Sequence, residues 1–170
     1  MSRHLMRRSG ISIISALTLL AASGCHFPYG LNGGGLPPNI RTMAILPFEN
    51  HTPSPNVQQE LLAQMRSELR RRLGVRDAPE DRADAIVRGV IVEYQPDIPV
   101  AFSTQTTSAR RRLQITIDVE IFDVGKGKVL FSRKGLRAEG EYAERADAEG
   151  RRLAIEKLVN DVVEGAQSQW

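Results

Sequence analysis

Two groups of residues carry most of the chemistry that this chain could offer. The first is Cys25, the sole cysteine in 170 residues, placed directly after "ISIISALTLLAASG". A thiolate is the best side-chain nucleophile for taking up an acyl or glyceride group. The second is the triplet Arg110, Arg111 and Arg112, whose guanidinium forks are shaped to hold phosphate oxygens. Alternation along an extended segment sends Arg110 and Arg112 to one side and Arg111 to the other. The same triplet also serves as a solvated strand end that discourages edge pairing.

Other chemistry finds no support. Beyond residue 24 the histidines are His26 and His51, separated in sequence and without metal-ligand spacing, and neither a cysteine cluster nor HExxH occurs. There is no G-x-S-x-G. "GKGK" at 125–128 lacks the spacing of a phosphate loop and reads as a hairpin turn. Asp118 and Glu120 share a strand face, as ordinary solvated carboxylates do. The chain is read as non-catalytic, without metal or cofactor.

The surroundings of Cys25 give its chemistry a purpose. Residues 1–24 begin with Arg3, Arg7 and Arg8, continue through about a dozen apolar residues and end in Ala22-Ser23-Gly24. That is the plan of a signal peptide, too short for the roughly 20 apolar residues of a membrane span. Ala22-Ser23-Gly24-Cys25 resembles the bacterial lipobox, although Leu is commonest where Ala22 stands. Cys25 is therefore the expected lipid attachment site, since two or more acyl chains hold a protein stably at a membrane. His26, rather than Asp, follows it, which implies sorting to the outer membrane. Residues 25–39, rich in Gly and Pro, read as the lipidated cysteine and a tether.

Those three N-terminal arginines account for the whole formal charge of +3, and no Asp or Glu precedes Cys25. The remainder is balanced, which argues against a nucleic-acid partner. Without a second cysteine, an exported domain must be stabilised by its core alone. Aromatics are 5% of the chain, so that core is expected to be aliphatic.

The elements that must position the arginines follow from periodicity. "IRTMAILPF" (40–48) reads as a strand ended by Pro47. Val57, Leu61, Leu62, Met65, Leu69 and Leu73 recur at helical spacing, with Ser54 as cap, Pro55 in the first turn and Arg70, Arg71 and Arg72 at the C-terminal end. "ADAIVRGVIVEYQP" (83–96) is nearly continuous in Val and Ile, as a central strand should be. From 110 to 124, Leu113, Ile115, Ile117, Val119 and Ile121 alternate with Gln114, Thr116, Asp118 and Glu120, which predicts a strand with one polar face. "DVGKGK" turns into a partner strand weakened by Gly135, and a helix with an apolar stripe closes the chain from about 147 to 167. The expected fold is α+β: a four-stranded mixed sheet with two helices packed on one face, in the order β-α-β-β-β-α, over residues 40–170.

"LPPNIRTMAILPFENHT", "RADAIVRGVIVEY" and "RLQITIDVEIFDVGKGKVLFS" behind a lipobox cysteine together resemble the LptE family of lipopolysaccharide-assembly lipoproteins. The resemblance covers nearly the whole chain beyond Cys25 and rests on the order of elements rather than on one motif. It implies a protein anchored by lipid at the periplasmic face of the outer membrane. There it would act as plug and assembly partner of the LptD β-barrel in delivering lipopolysaccharide to the outer leaflet. The polar sheet face and the 95–110 connection would then be the surfaces open to barrel or glycolipid. "MAILPFENHT" and "ADAIVRGVI" also resemble accessory lipoproteins of the CsgG and LpoB type, which implies a secretion-pore subunit or a peptidoglycan synthase activator instead. The long 111–122 strand favours the first resemblance.

Overall fold

The computed structural model describes residues 36–100 and 110–168. The signal peptide, Cys25, most of the tether and the centre of the 95–110 connection lie outside the described residues.

The elements are β1 (Thr42–Ile45), β2 (Glu49–Asn50), α1 (Pro55–Leu73), β3 (Arg76–Asp77), a 3-10 turn (Glu80–Arg82), β4 (Ala85–Pro99), β5 (Arg110–Asp123), β6 (Lys128–Ala143) and α2 (Asp147–Ser168). The sheet runs β3-β1-β4-β5-β6, with β2 also paired to β4. β1, β2 and β3 pair in parallel, whereas β4-β5-β6 is an antiparallel meander. The sheet is therefore mixed, but it has six strands where four were expected. β2 and β3 are two residues each and mostly polar, so neither can show the alternation that announces a strand.

The predicted alternation along β5 puts Leu113, Ile115, Ile117, Val119 and Ile121 into one core with both helices. α1 contributes Val57, Leu61, Met65 and Leu69, and α2 contributes Ala154, Ile155, Leu158, Val159, Val162 and Val163. Burying each larger aliphatic side chain contributes about 1.5–3 kcal/mol, so this cluster is the main stabilising term. α1 opens with Pro55 and closes at Gly74, whose φ of 67° suits the left-handed C-cap. Ser54 occupies the N-cap position, yet its side chain makes no capping bond. Asn50 instead donates from Nδ2 to the Ser54 carbonyl at 2.9 Å.

Two close approaches shape the core. A Cβ on Gly140 of β6 would lie 1.8 Å from the Gly150 carbonyl oxygen of α2. A Cβ on Gly89 would lie 2.5 Å from the buried Phe48 ring. Arg151, on α2, donates from Nε to both Glu60 oxygens on α1, at 3.0 and 2.9 Å, and so ties the two helices together.

Asp84 fixes the start of β1. Its Oδ2 accepts the Arg41 N–H at 2.9 Å, the Thr42 N–H at 2.8 Å and the Thr42 hydroxyl at 2.8 Å. Those bonds, with the Arg41 amide first, hold its carboxyl below the ordinary range.

Candidate functional site

The sheet face opposite the helices carries Arg110 and Arg112, two of the three arginines singled out in the sequence. Register across β4, β5 and β6 sets Gln95 beside Gln114, Glu93 beside Thr116, Thr116 beside Arg137, Gln114 beside Glu139 and Arg112 beside Glu141. A register shift between Ile91 and Glu93 turns the Glu93 carboxylate onto this face. Its Oε2 accepts from Gln114 Nε2 at 3.3 Å and from Thr116 Oγ1 at 3.4 Å. Gln114 and Thr116 are consequently buried, although alternation marks them as polar and solvated.

The arginine triplet lies at the far end of the sheet. Arg110 and Arg112 share the polar side and Arg111 takes the other, as alternation requires. Arg112 pairs from Nη1 with Glu139 at 3.2 Å and from Nη2 with Glu141 at 3.3 Å. Arg110 pairs with Glu141 at 3.6 Å. Arg111 donates from Nη1 to both Asp97 oxygens, at 2.5 and 2.6 Å, and that hydrogen bond raises its guanidinium pKa further. Each member of the triplet thus already has a carboxylate partner on an adjacent strand.

Unengaged cations stand elsewhere. Among the described residues the side chains of Arg133, Lys134 and Arg137, all on β6, have no hydrogen-bond or ion-pair partner. They surround a bulge in which Lys134 and Gly135 oppose Asp118, between the pairs Val119–Arg133 and Ile117–Leu136. Gly135 takes a φ of 64° and donates its N–H to Asp118 Oδ1 at 2.7 Å. Arg133 and Lys134 border a groove of about 390 Å³ that Leu46, Pro47, Gly89 and Val90 also line. Arg88 and Glu120 close it with bonds of 3.1 and 2.7 Å, and the Arg88 guanidinium lies 5.7 Å from the Phe122 ring centre. "SRKGLR" held the available signal: a glycine amid closely spaced cations in a strand marks both a bulge and charge left unbalanced by it.

No group of three or more His, Cys, Asp or Glu among the described residues is placed to hold a metal. Among the same residues no helix is long and apolar enough to cross a membrane.

A mixed sheet with both helices on one side and a charged, grooved opposite face defines a two-layer α+β domain. The chain belongs to the LptE family of lipopolysaccharide-assembly proteins, whose pattern matches residues 40–165. A comparison with curated protein sequences gives no match. Among solved structures, a PelC variant from Paraburkholderia phytofirmans, crystallised as a dodecamer, superposes with a TM-score of 0.50 at 18% identity, over 79% of this chain and 93% of that one. The hypothetical protein CT253 from Chlamydia trachomatis gives 0.52 at 10% identity, over 76% and 97%. XCC0632 from Xanthomonas campestris gives 0.50 at 9% identity, over 79% and 91%. At such identities these likenesses establish the fold alone.

Proposed function

We propose that this LptE-family protein is lipidated at Cys25, is held at the periplasmic face of the outer membrane, and acts as plug and assembly partner of an LptD-type β-barrel in lipopolysaccharide transport. The family match through residues 40–165 carries this reading, because it spans α1, most of α2 and every described strand. A small lipid-anchored domain with one helix-covered face and one open polar face suits insertion into a barrel lumen. Mild crosslinking in the native outer membrane, followed by identification of what copurifies, tests it. One large β-barrel at about one-to-one stoichiometry supports the plug. A peptidoglycan synthase would refute it.

Lipopolysaccharide presents phosphates, and on this reading they meet the open sheet face. Arg110, Arg111 and Arg112 remain candidates, but a phosphate must first displace Glu139, Glu141 or Asp97. Arg133, Lys134 and Arg137 need no such displacement. Lys134→Glu with Arg137→Glu is therefore expected to weaken lipopolysaccharide binding by about tenfold or more. Arg110→Glu with Arg112→Glu is expected to weaken it by a smaller factor. Equal binding by both folded double variants and the parent would remove the sheet face from the site.

A second reading is a ring of copies, of the secretion-pore kind. The likeness to a PelC dodecamer is the observation that favours it. A ladder of self-crosslinked multimers without a barrel would establish it over the plug.

A further inference from the structure

We infer that the β5–β6 hairpin tip is a second membrane contact, which lays Val124 and Val129 into the lipid headgroup layer. The inference rests on the reading of Cys25 as the lipid attachment site.

The tip carries an unusual combination of side chains. Among the described residues the large apolar side chains that stand out are Val92, Val124 and Val129, at 45%, 44% and 43% exposure. Two of these three bracket the turn Gly125-Lys126-Gly127-Lys128. Lys126 is exposed between them. Apolar side chains flanking a cation are the chemistry of an anionic bilayer surface, where the valines replace water contacts and the ammonium meets phosphates.

The tip presents these groups in a fixed shape. Asp123 is fully buried at its base and turned inward. Its Oδ1 accepts the Lys126 N–H at 2.9 Å, and its Oδ2 accepts from Asn39 Nδ2 at 3.1 Å. The Val124 N–H donates to the Asp84 carbonyl at 2.9 Å. The acidic groups nearest the tip are thus spent on internal bonds, which leaves its outward surface apolar and cationic.

The Asn39 bond also supplies the orientation. Asn39 stands where the domain gives way to the segment leading back to Cys25, and its side chain is fastened to the tip. Residues 26–39 reach no farther than about 50 Å even when fully extended. An acylated Cys25 therefore holds the domain within that distance of the bilayer, with the tip at the end from which the chain leads back to it, and at such effective concentrations a contact too weak to bind alone becomes occupied. The other end of the sheet, at Gln95 and Gln114, is ten residues along β4, roughly 30 Å away.

The test uses the processed protein in vesicles of phosphatidylethanolamine and phosphatidylglycerol, with its acylation confirmed by mass. An environment-sensitive fluorophore is placed on Gly125→Cys or, as reference, on Gln95→Cys. Nitroxide-labelled lipid headgroups should quench the fluorophore at 125 several-fold more than the one at 95. Val124→Asp with Val129→Asp should erase the difference while circular dichroism stays unchanged. Equal quenching at the two positions in acylated protein overturns the inference and leaves the anchor standing. A mass without acyl chains removes the anchor, and the inference with it.

Discussion

Gly140→Ala separates the structure from simple propensity rules. Alanine in place of glycine ordinarily stabilises a compatible site by about 0.4–1 kcal/mol, through the unfolded state. Here the new methyl would sit 1.8 Å from the Gly150 oxygen and 3.0 Å from the Ala154 nitrogen, both backbone atoms of α2. No side chain can rotate away. The first turns of α2 must lift from β6 by roughly 1.5 Å to restore an ordinary contact, and a gap of 0.5–1 Å already forfeits a quarter to a half of the attraction between facing atoms. Ala154, Ile155 and Leu158 would lose that share of their burial. At about 1.5–3 kcal/mol for each larger side chain, and with overpacking costs of 1–3 kcal/mol as a guide, the expected loss is about 2–4 kcal/mol. Urea unfolding followed by circular dichroism should show a lower midpoint at unchanged slope, and the thermal midpoint should fall by roughly 10 °C. A Gly140→Ala protein as stable as the parent would refute the close packing of α2 on β6.

Further outcomes follow from the polar contacts. The folded Asp84 carboxyl lies below its ordinary value, so its contribution is complete above the unfolded carboxylate pKa and is lost as pH falls through the lower folded one. Asp84→Asn should lower the thermal midpoint at neutral pH and flatten its decline below about pH 4. An unchanged acid limb would contradict that role. Arg151→Met removes the bridge to Glu60 but leaves that carboxylate 41% exposed, so the cost should be about 1–2 kcal/mol by urea titration, well short of a fully buried pair. Gly135→Ala meets no neighbouring atom within 4 Å, and its cost of about 1–2 kcal/mol should come from the left-handed backbone alone. Asparagine, which tolerates that conformation, should recover part of it in the same titration.

Periodicity revealed what it can encode. β5 alternates over its whole length, and both helices carry apolar stripes, so their type and the shared core were legible. β2 and β3 were not, because two residues paired in parallel to a neighbour leave no pattern in the chain. Ser54 held the right position and residue type for a cap, while Asn50 took over the local bonding. At the candidate surface, the arginine triplet was visible as a run of letters. Its partners Glu139, Glu141 and Asp97 lie 14 or more residues away and become neighbours only through strand register. The uncompensated cations of β6 were obscured for the same reason: a bulge at Gly135 decides which charges find partners, and composition cannot show it.

That bulge has a consequence for the chain in transit. β6 borders the sheet with a strand of 16 residues, and its outer backbone groups have no described strand beside them. A straight border of that length would template strand addition by any other unfolded chain it met. The kink at Lys134 and Gly135, flanked by Arg133 and Arg137, interrupts the row of donors and acceptors midway and adds repulsion between like copies. The same few residues that leave positive charge on the surface thereby keep neighbouring copies from zipping together into fibres.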